Sequence, residues 1–212
     1  MKKIVILCFE FGLLCVALPL AIYYRVAPNA PIPILVVLAF GAWLYLRRDP
    51  TFDRVHLIGP RLARQRIEPV IVRSALACSI LGMAVWRFAS QLLLSLVHRA
   101  PLVWLMIMVL YPLLSVYPQE LIFRAYFFQR YRPLFGTGWT MITASAVAFG
   151  FVHIIFGNWI AVVLTLVGGF LFALTYHESG SMLLACLEHA FYGNFIFTIG
   201  LGQFFYHGTR LG

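Results

Sequence analysis

The sequence predicts an all-α fold, a polytopic transmembrane helical bundle of about seven spans, and three observations predict it. Apolar residues make up 62% of the 212 and charged residues 11%, against roughly 45–50% and about 25% in an ordinary soluble domain. Apolar runs follow one another along the chain, each near the 20 or so residues that a bilayer core about 30 Å thick demands. The breaks between them hold the Pro, Gly, Asn and charged residues that let a chain leave the helical state near water. Seven spans use up 212 residues, so residues 1–212 are expected to form a single integral membrane domain.

The runs fall at 4–24, 31–46, 70–97, 101–128, 138–156, 158–176 and 181–206. Met1-Lys2-Lys3 ahead of the first run has the look of a signal peptide, but Glu10 interrupts the run and no small-x-small cleavage site follows. It is therefore read as an uncleaved helix. Arg73 and Arg87 make the third run the weakest. Residues 47–69 form the one polar interlude, expected to be a solvated loop on the basic, cytoplasmic side. Short loops rich in Lys and Arg stay in the cytoplasm. With the N-terminus inside, that face receives Lys2, Lys3, Arg47, Arg48, Arg54, Arg61, Arg64, Arg66, Arg73, Arg130 and Arg132, and the other face only Arg25, Arg99 and Arg210. The expected location is the cell (plasma) membrane, and the lipid bilayer is the first partner. The net charge of +9 is read as topology rather than nucleic-acid binding, because the Arg residues sit between apolar runs and not along one face. Cys8, Cys15, Cys78 and Cys186 lie inside apolar stretches without CxxC spacing, so neither a disulfide framework nor a zinc knuckle is indicated.

A charged side chain at membrane depth costs at least about 2.5–3.5 kcal/mol, so each one asks for a partner or a function. The polar residues within the runs are Glu10, Arg87, Gln119, Glu120, Arg124, His153, Asn158, Glu188, His189 and Asn194. Six of these ten come from PQELIFR at 118–124 and EHAFYGN at 188–194. Counting a rise of about 1.5 Å per residue from the nearest span end puts Glu120 roughly 16 Å deep, His153 roughly 22 Å and His189 roughly 12 Å. All three then fall near the bilayer middle. Glu120 and Arg124, four apart, also make sense as a structural ion pair, and His153 as a hydrogen-bonding group between helices. Asn158 reads as a turn residue.

A carboxylate and an imidazole together deprotonate a water, while a second imidazole and an amide donate to a tetrahedral oxyanion. Glu120, His153 and His189 could equally hold a divalent metal such as zinc that activates the water. Other intramembrane protease chemistries lack their residues: there is no HExxH helix, and Asp49 and Asp53 both fall in the polar loop.

These motifs resemble the EExxxR, FxxxH and HxxxN pattern of the CAAX prenyl endopeptidase type II and bacteriocin-processing family of intramembrane proteases. Phe149 and His153 match the second motif, Gln119, Glu120 and Arg124 most of the first, and His189 opens the third. The resemblance spans the core helices at about 101–206 and implies hydrolysis of membrane-anchored protein or peptide substrates. It implies Glu120 as base assisted by His153, Arg124 orienting Glu120, and His189 with Gln119 or Asn194 holding the oxyanion. Two positions depart from the pattern. Gln119 stands where the family has its leading glutamate, and an amide is no general base. Gly193 stands four after His189, with Asn194 one further, about 140° away on a regular helix. The alternatives are a catalytically inactive membrane scaffold or partner-binding pseudoprotease and, further off, a proton-coupled carrier.

Overall fold

The computed structural model describes residues 2–205; Met1, Tyr206 at the end of the seventh predicted run, and Arg210 lie outside them. Every regular element among the described residues is a helix. Six are long and apolar enough to cross a membrane: α1 Lys2–Tyr23, α2 Pro31–Arg48, α3 Pro60–Phe88 by way of its segment Ala63–Phe88, α4 Pro101–Arg130, α5 Trp139–Phe156 and α6 Trp159–Ser179. A shorter helix, α7 Met182–Thr198, has 17 residues and brings the bundle to about seven. Large apolar side chains such as Phe9, Val26, Val37, Phe88, Leu102 and Trp159 face outward. In water such a surface would be an aggregation site; in a bilayer it is the solvated face.

The polar interlude is only half a loop. Asp49 closes α2, a 3₁₀ turn covers Arg54–Leu57, and α3 already begins at Pro60. Proline at the first helical position is pre-organised for the helix, and Leu, Ala, Arg and Gln after it are good helix formers, so the backbone continues as helix although the hydropathy has not yet risen. The far end of the third predicted run also differs. Helix α3 ends at Phe88, Ala89 leaves the helical conformation, and a separate short helix Ser95–Arg99 precedes α4.

Helices α5 and α6 pack closest. A Cβ at Gly150 would lie 3.0 Å from the Leu166 Cα, and one at Gly169 2.8 Å from the Phe149 ring. Without a hydrophobic drive between helices in lipid, such small residues let backbones approach and gain dispersion contacts. Backbone cannot yield as a side-chain tip can, so Gly150→Ala is expected to destabilise the bundle by about 1–3 kcal/mol, read as a lowered midpoint in denaturant-driven unfolding from detergent.

Glu10, which has no partner in its own stretch of sequence, is tied across the bundle to Arg130 at the end of α4, and Tyr126 and Tyr131 donate to the same carboxylate. This clasp fixes α1 against α4. Between them, and bounded by α2, α5, α6 and α7, lies a cavity of about 1260 Å³ whose wall is mostly apolar.

Candidate active site

Helix α4 is irregular where the polar motif sits. Pro112–Val116 and Leu121–Tyr126 are π-helical, with the α-helical turn Tyr117–Glu120 between them. Wider turns of this kind re-aim side chains and are frequent at functional sites. Here Glu120 and Arg124 point into protein, each 0% exposed, and form an ion pair at 3.0 Å. Arg124 Nη1 also donates to Ser145 Oγ on α5 at 2.8 Å and to the Phe123 carbonyl at 3.2 Å. Its guanidinium lies over the rings of Phe149 and Phe172, 5.1 and 5.9 Å from their centroids. A charge with no water is thus held by a carboxylate, a hydroxyl, a carbonyl and two aromatic faces.

The second oxygen of Glu120 holds His189. Nδ1 of His189 is 2.9 Å from Glu120 Oε1, and since a carboxylate only accepts, Nδ1 carries the proton. The imidazole stacks on Phe172, centroids 4.4 Å apart and planes 15° from parallel. Its other nitrogen, Nε2, is 3.1 Å from the Tyr111 hydroxyl.

His153 is fixed by a local backbone change. Where α5 tightens into the 3₁₀ turn His153–Phe156, the His153 N–H turns to the carbonyls of Gly150 and Phe151. The Phe149 carbonyl, freed of its α-helical donor, accepts instead from the imidazole's Nδ1 at 2.6 Å. That leaves Nε2 of His153 as a lone pair with no hydrogen-bond partner among the described residues. The ring of Phe149 touches both imidazoles, with centroids 4.8 Å from His153 and 5.5 Å from His189.

Three of the six expected site residues, Gln119, His153 and His189, therefore line this cavity. Gln119 Nε2 donates to Ser115 Oγ at 2.8 Å, and its carbonyl Oε1 has no partner among the described residues. Glu120 and Arg124 stand behind His189, away from the cavity wall. Asn194 is not brought in. Pro112 has no N–H for the Met108 carbonyl one turn earlier, and Asn194 Nδ2 satisfies that carbonyl at 3.3 Å. The expected metal set does not fit: Glu120 is spent on Arg124 and His189, and no three His, Cys, Asp or Glu among the described residues are grouped as ligands.

Sequence reasoning did not single out Tyr111, Ser145 or the role of Arg73. Arg73, placed by its charge at the cytoplasmic end, reaches from α3 to the buried Glu188 at 2.7 Å, and Thr175 on α6 donates to the same carboxylate at 2.6 Å. The unpaired Glu188 beside His189 was the signal that some cation had to meet it. Tyr111 carried the fainter signal of a polar tip beside a helix-breaking proline in an apolar run.

Fold and candidate site together define a polytopic membrane protein with two histidines at the wall of an intramembrane cavity and a buried Glu–Arg pair behind one of them. Residues 99–195, from the end of the short helix before α4 into α7, match the Rce1-like family of type II CAAX prenyl endopeptidases. No curated protein and no solved structure matches the chain.

Proposed function

We propose that the protein is an intramembrane endopeptidase that hydrolyses membrane-anchored protein or peptide substrates, either CAAX-type prenylated tails or leader and anchor peptides. The N-terminus faces the cytosol. The observation that carries the reading is the pair of imidazoles at one cavity wall, each with Nδ1 tied down and Nε2 directed to other work. His153, rather than the buried Glu120, is the base. Its Nε2 takes one proton of a water whose second hydrogen is accepted by Gln119 Oε1. The water oxygen attacks the scissile carbonyl carbon, and the C=O electron pair moves to the oxygen, where donors on the His189 side stabilise it. As the oxyanion collapses, the C–N bond breaks and the proton on His153 passes to the leaving nitrogen. Glu120 and Arg124 hold His189 in place, and no step runs through a metal.

The test uses purified protein in proteoliposomes with two probes, a farnesylated CAAX peptide and a peptide on a single apolar anchor. Wild type is expected to cleave at least one of them and His189→Ala to lose that cleavage. Undiminished turnover in His189→Ala removes the site assignment.

Gln119 favours one competing reading, a non-catalytic scaffold, because it removes the carboxylate at the position where the family pattern has one. The two readings separate on Gln119→Glu. In an enzyme slowed by the amide, a carboxylate beside the same water is expected to raise kcat by up to about 10²-fold, the lower end of what a positioned base contributes. A scaffold gains no turnover from that change and keeps its partner through His189→Ala.

A further inference from the structure

The geometry points to Tyr111 as a further catalytic residue, its hydroxyl serving as the oxyanion donor in the space left by Gly193; this rests on the hydrolytic reading above. The family pattern predicts a side-chain amide four residues after His189, and the position holds glycine. The space is not empty. A Cβ built at Gly193 would meet Tyr111 Cε1 at 2.2 Å, its hydroxyl oxygen at 2.4 Å and Cζ at 2.5 Å. No side chain at 193 can coexist with Tyr111 where it stands, and the two positions form one either-or unit.

Three further observations assign the donor's role to that ring. Its hydroxyl is 3.1 Å from His189 Nε2, so it sits beside the imidazole on the side away from Glu120. Tyr111 and Gly193 both line the cavity, whereas the nearest amide, Asn194, is committed to the carbonyl that Pro112 leaves free. The ring is held edge-on between His189 and Phe197, centroids 6.1 and 5.4 Å away, so the hydroxyl is aimed and not free to swing. The hydroxyl oxygen is thus fixed in place and only its hydrogen has to turn, which keeps the reorganisation needed to meet a developing charge small. At rest the Tyr111 O–H donates to the unprotonated His189 Nε2; in the hydrolytic step it turns about its C–O bond and donates instead to the oxygen that receives the C=O electron pair. That hydrogen bond strengthens as the tetrahedral intermediate forms and relaxes as the C–N bond breaks. No proton leaves the tyrosine.

The experiment measures kcat and KM separately on whichever of the two peptide probes wild type cleaves. Tyr111→Phe keeps the ring and removes the donor. It is expected to lower kcat by about 10²–10³-fold, the cost of one oxyanion donor, with KM unchanged and melting temperature little altered. Tyr111→Ala in combination with Gly193→Asn returns an amide to the vacated space and is expected to exceed Tyr111→Ala alone in kcat by about tenfold or more, within that same range. Wild-type kcat in Tyr111→Phe, with His189→Ala inactive, overturns the tyrosine's role and leaves the hydrolytic reading standing. So does a loss in Tyr111→Phe that appears wholly in KM or melting temperature. Wild-type turnover in both Tyr111→Phe and His189→Ala overturns the reading and the proposal together, as does failure of wild type to cleave either probe.

Discussion

His153→Ala is expected to reduce kcat on a cleaved membrane-anchored peptide by about 10²–10⁴-fold, the contribution of a positioned general base. Nδ1 makes one hydrogen bond, to the carbonyl of Phe149 on its own helix, and losing it costs on the order of 1 kcal/mol of stability. No other hydrogen bond of the imidazole is found among the described residues. The change should therefore appear in kcat, with KM and the unfolding midpoint little altered. A scaffold whose histidines only pack would show the reverse, an unchanged function with a small loss of stability. Stopped kinetics on wild type and variant in one lipid composition separate the two.

Arg124→Leu is expected to have the largest effect on the fold, destabilising it by about 3–5 kcal/mol. The leucine fills part of the volume but leaves the Glu120 carboxyl at 0% exposure with its ion-pair partner gone. Ser145 and the Phe123 carbonyl lose the same donor. His189 loses its anchor as Glu120 seeks another partner, so activity falls with stability. The diagnostic variant is the double one. Glu120→Gln with Arg124→Leu removes both charges, and buried pairs replaced together are often near neutral, so most of the lost stability should return. Unfolding midpoints in detergent measure this. Equal stability of wild type and Arg124→Leu would mean the pair is not buried as described.

Much of the architecture was legible because membrane spans write themselves in runs of apolar residues, and the segments at 31–46, 101–128 and 158–176 correspond to helices Pro31–Arg48, Pro101–Arg130 and Trp159–Ser179. The start of α3 was not, since helix propensity and proline placement, rather than hydropathy, set it at Pro60. Within the site, the Glu120–Arg124 pair could be read from its spacing of four. The clasp of Glu10 onto Arg130 spans 120 residues, and no local pattern encodes a partner that far away. The direction of Glu120 was lost for a related reason. A count of residues per turn assumes a regular helix, and the π turns on either side of Tyr117–Glu120 rotate the motif so that Glu120 backs His189 while Gln119 meets the cavity. Asn194 was misplaced because one proline, Pro112, leaves a carbonyl free that the Asn194 amide takes up.

The most direct test follows the oxygen of the attacking water. A cleaved peptide is incubated with wild type, Gln119→Glu and His153→Ala in water enriched in heavy oxygen, and the new carboxyl terminus is weighed. Heavy oxygen in that carboxylate from wild type, faster in Gln119→Glu and lost in His153→Ala, is the predicted result. Label appearing in His153→Ala at the wild-type rate would contradict a water activated by that imidazole at the cavity wall.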